Sequence, residues 1–165
     1  MRDNKRQYGR GIKGHLLTGI AWMIPLIGAA GICIALGQVI GGPDVGKQTG
    51  TLAWMLNQIG GWGMGLIVPL ISAAIAYSIA DRPGFAPGLI VGFICGQIGT
   101  GFIGGIFGGF LVGYTVLLLR RTIKLPKSML GLLPIMVLPV LSTIIAGLLM
   151  MTFIGQPIVV RQKAL

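Results

Sequence analysis

Residues 101–119 read Gly-Phe-Ile-Gly-Gly-Ile-Phe-Gly-Gly-Phe-Leu-Val-Gly-Tyr-Thr-Val-Leu-Leu-Leu and contain no charged side chain. A helix needs roughly 20 apolar residues to cross the ~30 Å hydrocarbon core of a bilayer. Asp, Glu, Lys and Arg are absent from four longer stretches, residues 14–43, 48–80, 83–119 and 128–160. With 54% hydrophobic and 10% charged residues, the sequence predicts an all-α polytopic membrane protein with about five transmembrane or re-entrant helices.

The basic residues lie at the ends of the uncharged stretches. Thirteen Lys and Arg against three acidic residues give a formal charge of +10, with clusters in residues 2–13 and 120–127. This placement is typical of membrane proteins and excludes a nucleic-acid-binding face, where cations alternate with aromatics. We expect a cytoplasmic N-terminal segment (residues 1–13), a membrane domain (14–158) and a tail (159–165).

Glycine recurs at every fourth position in two predicted helices, 87–98 and 102–119, which are separated by a break at Gly99-Thr100-Gly101. Such spacing places the glycines on one helix face, where backbones approach closely. We expect the two pieces to pack against each other or against a partner. The helix-packing glycines are Gly88, Gly92, Gly96, Gly101, Gly105, Gly109 and Gly113.

The remaining uncharged sequence predicts three membrane spans and one short helix. The first span covers His15–Gly41 with Pro25 inside it, the second Trp62–Ala80, and the last Ser128–Ile154. A short interfacial helix is predicted over Thr51–Ile59, where Trp, Asn and Gln mix with aliphatic residues. The glycines at positions 60, 61 and 63 are expected to end it.

No constellation of catalytic or metal-ligating residues is present, and we expect no catalytic residue, metal or cofactor. Gly99–Gly104 matches G-x-G-x-x-G, the pattern of dinucleotide-binding loops. No Asp or Glu follows it to bind a ribose, so helix packing explains these glycines better. His15 is the only histidine, lacks an orienting partner in the sequence, and is assigned to the interface. Cys33 and Cys95 are predicted to be buried hydrophobes.

Five polar residues near predicted breaks are candidates for a substrate path. Asp81 and Arg82 are charges at a helix end, which in membrane proteins pair or line a pathway; solvated loop residues are the equal alternative. Asn57, Gln97 and Thr100, together with Gln58, offer hydrogen-bonding groups that suit sugar hydroxyls. The alternative is that they satisfy backbone groups freed at the breaks.

Four blocks resemble the enzyme IIC component of fructose-type phosphotransferase-system permeases, in the fructose-like and mannosylglycerate branch. The blocks are His15-Leu-Leu-Thr-Gly-Ile-Ala-Trp-Met-Ile-Pro25, Ile79-Ala-Asp-Arg-Pro-Gly-Phe-Ala-Pro-Gly88, residues 101–114, and Ile123-Lys-Leu-Pro-Lys-Ser128 with Leu133-Pro-Ile.

The resemblance implies uptake of a fructose-like sugar through the bacterial inner membrane. It also implies a homodimer, with phosphoryl transfer on separate IIA and IIB components. The chain by itself is then not expected to be an enzyme, and its partners are lipid, sugar and those components.

Two blocks of the family are missing, a Gly-Gly-Pro-x-Asn-Lys block and a Thr-Glu-Gly-Ala-Ile-Pro-type block, and the chain contains no Glu. We therefore expect the N-terminal half of a IIC domain. It is then a truncated gene product, a fragment or one part of a split transporter, and the end of the chain just past the last recognisable block favours truncation. The alternative is a non-transporting membrane protein that associates with a full permease or with itself.

Overall fold

The computed structural model describes residues 11–122 and 138–155, and there the chain is helical without a β-strand. This confirms the all-α class. Residues 1–10 and 159–165, and the beginning of the predicted last span, lie outside the described residues. The helices are α1 (Ile12–Gly41), α2 (Leu52–Gly65), α3 (Ile67–Ala80), α4 (Arg82–Gln97), α5 (Gly101–Thr122) and α6 (Leu138–Leu149), with a 3-10 turn at Val45–Lys47 and a π-helical turn at Met150–Gly155.

Two helices are each long and apolar enough to cross a membrane: α1, over Lys13–Gly41, and α5, over Gly101–Arg121. The pair α2 and α3 passes the same test only together, which gives up to three spans in the described ranges. The predicted total of about five is not confirmed. With 16 residues, α4 reaches only about 24 Å at 1.5 Å per residue.

The predicted break at residues 60–63 is wrong, because α2 runs through these glycines and ends at Gly65. The break lies at Leu66, and α3 starts at Ile67. Pro69 is therefore in the first turn of α3, where a missing N–H costs no intrahelical hydrogen bond. The start of α2 is set by Thr51, whose Oγ1 accepts a hydrogen bond from the Trp54 N–H at 3.2 Å.

The chain forms two compact units, Ala21–Ile67 and a larger unit that joins Met1–Ile20 to Val68–Leu165. In the smaller unit, the C-terminal part of α1 packs against α2 through glycines. A Cβ at Gly60 would lie 2.5 Å from the Ala30 carbonyl oxygen, and one at Gly37 would lie 2.7 Å from the Ala53 carbonyl oxygen. Gly60 thus acts as a packing residue inside a helix.

In the larger unit, α3 is the central helix: from Ile71 to Ala80 every residue except Tyr77 is buried. The glycine faces of α4 and α5 both contact it. A Cβ at Gly92 would lie 2.7 Å from the Pro69 Cα, and one at Gly109 would lie 2.8 Å from the Ser72 carbonyl oxygen. The same close approach to α3 occurs at Gly88, Gly105 and Gly113.

Gly96 and Gly101 differ from the other packing glycines, since a Cβ on either would have no neighbour within 4 Å. Gly101 has a φ of 63° and Gly99 a φ of 77°, so glycine at these positions allows the left-handed backbone of the turn between α4 and α5. The predicted break at Gly99-Thr100-Gly101 is present. A packing role for Gly96 stays a prediction.

The core of the larger unit is completed by α6, which packs against α4 and α5. Val91 and Cys95 of α4 meet Val112 and Val116 of α5, and all four are fully buried. Ala146 and Met150 close this cluster from the side of α6. Three helices thus hold α4 in place: α3, α5 and α6.

We predict that Gly92→Ala destabilises the chain and that Gly96→Ala does not, although the two glycines lie one turn apart on α4. The Gly92 substitution forces a methyl group against the backbone of α3 and should lower the free energy of unfolding by about 1–3 kcal/mol. The Gly96 substitution meets open space and should leave stability unchanged or raise it by up to ~1 kcal/mol. Thermal unfolding of the detergent-solubilised chain measures both, and equal effects would contradict the packing described for Gly92.

Candidate functional site

Asp81 is the single residue that joins α3 to α4. Its N–H donates to the Tyr77 carbonyl oxygen at 2.8 Å and so extends the hydrogen bonds of α3. Its carbonyl oxygen accepts from the Gly84 N–H at 3.1 Å and so begins α4. Since one residue must reverse the chain between two helices, Asp81 adopts φ 61° and ψ −150°.

This backbone conformation is strained for any residue other than glycine and costs on the order of 1–3 kcal/mol. The contacts around Asp81 hold it in place. Gly84 packs so closely on α3 that an added Cβ would lie 2.6 Å from the Ala76 carbonyl oxygen. The rings of Tyr77 and Phe85 meet edge to face at 6.3 Å. The Asp81 side chain makes no capping hydrogen bond to α4. Glycine would adopt this backbone conformation without strain, so the carboxylate is the one feature that aspartate adds at this position.

Arg120, near the end of α5, caps the C-terminus of α3. Its Nη2 donates to the Ala80 carbonyl oxygen at 3.3 Å. The last carbonyl groups of a helix have no partner within the helix and carry partial negative charge, which a guanidinium stabilises. Sequence analysis missed this role, because an arginine that follows an apolar span gives no sign of the helix end it will reach.

His15 is buried, with 7% of its surface exposed, and it also lies near the end of α3. Its Nδ1 forms a hydrogen bond with the Ser78 Oγ at 2.7 Å, and its ring meets Phe110 of α5 edge to face at 6.5 Å. The expectation that His15 lacks an orienting partner is therefore wrong. Sequence analysis missed Ser78, because a serine within an apolar sequence cannot be distinguished from a small packing residue.

We call His15, Ser78, Asp81 and Arg120 the α3-terminus cluster. It combines an imidazole, a hydroxyl, a half-buried carboxylate and a guanidinium at the end of the central helix. Arg82, beside Asp81, is exposed. These groups can hydrogen-bond a polar ligand and fix three helices relative to one another, but they do not form a nucleophile with its base and oxyanion donors. Among the described residues no group of His, Cys, Asp and Glu could hold a metal ion.

Gln97 and Thr100 lie at the opposite end of α4 from Asp81 and Arg82, about 24 Å away along a helix of 16 residues. The Thr100 Oγ1 donates to the Cys95 carbonyl oxygen at 2.8 Å, so this hydroxyl satisfies a backbone group at the break. Gln97 is exposed. One sugar ring cannot contact both ends of α4 at once.

Asn57 and Gln58 belong to α2, in the smaller unit, and both are half-buried. The Asn57 backbone lies beside α1: a Cβ at Gly37 would be 2.8 Å from the Asn57 nitrogen. The candidate substrate-path residues are therefore found at three separate places in the chain. The α3-terminus cluster brings Asp81 together with groups that the sequence did not associate with it.

Comparison with known proteins identifies the family. The sequence model described as "Phosphotransferase system, EIIC" matches residues 17–161. The chain belongs to the EIIC family. The resemblance to fructose-type EIIC components is confirmed, and the chain is a membrane protein by family and by its apolar helices.

Several relatives share the region. The chain is 55% identical to a fructose-specific EIIB'BC component of Xanthomonas campestris pv. campestris over 159 residues, which are 94% of this chain and 27% of that protein. It is 53% identical to the fructose-specific EIIB'BC component of Escherichia coli K12 over 145 residues, 87% of this chain and 26% of the relative. A 2-O-alpha-mannosyl-D-glycerate-specific EIIABC component of the same organism is 44% identical over 152 residues, which are 89% of this chain and 23% of that protein.

This EIIC chain spans about a quarter of the length of these relatives. No solved structure matches it.

We predict that Asp81→Gly gives a more stable EIIC chain than Asp81→Ala. Both substitutions remove the carboxylate, but alanine keeps the strained φ and glycine does not. The difference in the free energy of unfolding should be about 1–3 kcal/mol. Chemical denaturation in detergent measures it, and an alanine variant as stable as the glycine variant would disprove strain at this joint.

A double-mutant cycle at His15 and Ser78 tests the hydrogen bond between these two residues of the α3-terminus cluster. We expect His15→Phe and Ser78→Ala to be non-additive by about 0.5–1.5 kcal/mol, the range for one net hydrogen bond. The readout is the free energy of unfolding of the two single variants and the double variant. Additivity within ~0.3 kcal/mol would show that the contact contributes nothing.

Proposed function

We propose that this chain forms part of the membrane component of a phosphoenolpyruvate-dependent sugar phosphotransferase system that takes up a fructose-like sugar. The observation that carries the proposal is the EIIC match over residues 17–161, together with 55% identity to a fructose-specific component. Its long apolar helices fit a membrane domain. The proposal is kept at a fructose-like sugar, because identity to fructose-specific relatives ranges from 55% to 40% and the mannosylglycerate-specific relative, at 44%, lies within that range.

In this proposal, the chain contributes to uptake a rigid packing of helices around α3. Glycine faces on α4 and α5 close on a helix that is buried on nearly all sides, and such packing resists deformation. Among the substrate-path candidates, Asp81 has the strongest support, because its backbone is strained, its side chain does not cap α4, and strained residues cluster at functional sites. We place Arg82 beside it, and Asn57, Gln97 and Thr100 at other points of the path.

The phosphoryl chemistry is assigned to partner components. The relatives are named as EIIB'BC or EIIABC proteins, in which the membrane component is joined to others, so this chain works with IIA and IIB. Basic residues at positions 2–13 and 120–127 favour a cytoplasmic N-terminus in a bacterial inner membrane. We also propose a homodimer, since α1 leaves large apolar side chains such as Val39 (82% exposed) and Ile24 (65%) for lipid or a second copy.

A chimera tests the proposed function. Residues 17–161 of this chain replace the matching segment of the Escherichia coli fructose-specific relative in a strain that lacks its own fructose permease. We expect the chimera to restore phosphoenolpyruvate-dependent uptake of labelled fructose, because the segment supplies the same support. A chimera that reaches the membrane in normal amount but transports no fructose-like sugar would contradict the proposal.

Two controls sharpen this test. Asp81→Asn in the chimera should reduce uptake at least ~10-fold, a cost of ~1.4 kcal/mol in the transport barrier, without lowering the amount of protein in the membrane. Asp44→Asn, which removes an exposed carboxylate outside the candidate path, provides the matched comparison and should leave uptake unchanged. The non-transporting alternative predicts a different outcome: the unmodified chain copurifies with an intact permease, and the chimera is inactive.

A further inference from the structure

A groove of about 290 Å³ lies on the outer face of α5, near its C-terminal end. Its lining residues are Tyr114, Leu117, Leu118 and Arg121, which follow the spacing i, i+3, i+4, i+7 of a single helix face. The opposite face of the same turns carries Val112 and Val116, both fully buried in the core. The groove therefore lies beside the core cluster and opens outward, with Leu117 at its packed edge and Leu118 65% exposed in it.

The two consecutive arginines of α5 have different surroundings. Arg120 turns inward and donates to the Ala80 carbonyl oxygen at 3.3 Å. Arg121 is exposed and lines the groove, at the residue where the candidate span Gly101–Arg121 ends. An arginine at the end of a span places its alkyl stem along apolar side chains and its guanidinium at the level of the headgroups.

The described part of the chain offers Arg121 no carboxylate partner. In residues 11–122 and 138–155, Asp44 is paired with Lys47 at 3.2 Å, and no carboxylate lies within 4.0 Å of Arg121. Phosphate is the complementary partner, because the planar guanidinium binds phosphate oxygens through two parallel hydrogen bonds.

The apolar wall of the groove is ordered by an aromatic pair. The ring of Tyr114 stacks on that of Phe110 with centroids 6.3 Å apart and an angle of 18° between the planes. Phe110 in turn meets His15, so the Tyr114 ring is held by the packed part of the unit. Leu117 and Leu118 continue the apolar surface to Arg121.

We propose that this groove binds an anionic phospholipid. The lipid phosphate lies on the Arg121 guanidinium, and an acyl chain lies along Leu117, Leu118 and the ring of Tyr114. A lipid is favoured over a soluble phosphate because, among the described residues that line the groove, Tyr114, Leu117 and Leu118 present apolar or aromatic surface next to the Arg121 guanidinium. The proposal rests on the membrane location of the chain and is independent of sugar transport.

Native mass spectrometry of the purified full chain in detergent tests the proposal, with phosphatidylglycerol and phosphatidylcholine added at equal concentration. We expect phosphatidylglycerol to bind more tightly. Arg121→Gln should lower its affinity about fivefold, equivalent to the ~1 kcal/mol that one cation contributes near an anionic headgroup. The loss for phosphatidylcholine should be smaller, because its choline cation offsets the charge of the phosphate. Arg121→Lys should retain most of the preference.

Lys47→Gln is the matched control, because it also removes one exposed positive charge but lies far from α5 in sequence. We expect it to leave phosphatidylglycerol binding unaffected. Equal losses in the Lys47 and Arg121 variants, or equal binding of the two lipids to the unmodified chain, would overturn the proposal. Displacement of the lipid by millimolar glycerol phosphate would also overturn it, since a soluble phosphate would then occupy the site without an acyl chain. Sugar uptake does not enter any of these measurements.

Discussion

The larger unit depends on the absence of Cβ atoms where α4 and α5 meet α3. At Gly88, Gly92, Gly105, Gly109 and Gly113, an added Cβ would lie within 2.9 Å of an atom of α3. Lipid tails are as apolar as leucine, so helices in a membrane gain little from simple hydrophobic burial and depend on close packing. These glycines bring the backbones together, and α3 becomes buried from Ile71 to Ala80 apart from Tyr77. The position of every group at the end of α3 follows from this.

The sequence predicted the parts of the fold that repeat. Uncharged stretches and fourfold glycine spacing lead directly to α1, α5 and the turn at Gly99-Thr100-Gly101. The glycines at positions 60–63 misled the prediction, because glycine serves both to end helices and to let them pack, and local sequence does not distinguish the two uses. Pro69 carried the missing information: a helix that begins at Ile67 places this proline in the first turn, where it is tolerated.

The candidate site was less predictable, for a physical reason. Asp81 stood out because charges are rare in this chain, and the structure adds that it is strained and unused as a cap. The contacts of the α3-terminus cluster join residues that are far apart in sequence: His15 and Ser78 are 63 residues apart, and Arg120 and Ala80 are 40. Such contacts depend on how helices pack in three dimensions, which no local pattern records. The EIIC family match places the cluster in a membrane component of a phosphotransferase system.

The most direct test of the central packing is labelling of the unmodified chain in membranes with a lipid-soluble diazirine, followed by mass spectrometry of its peptides. A helix covered by α4 and α5 should take up almost no label from Ile71 to Ala80, while exposed residues of α1 such as Ile24 and Val39 are labelled strongly. Label along α3 at every third or fourth residue, at the level found on α1, would show a lipid-exposed face. That result would contradict the account of α3 as the central helix.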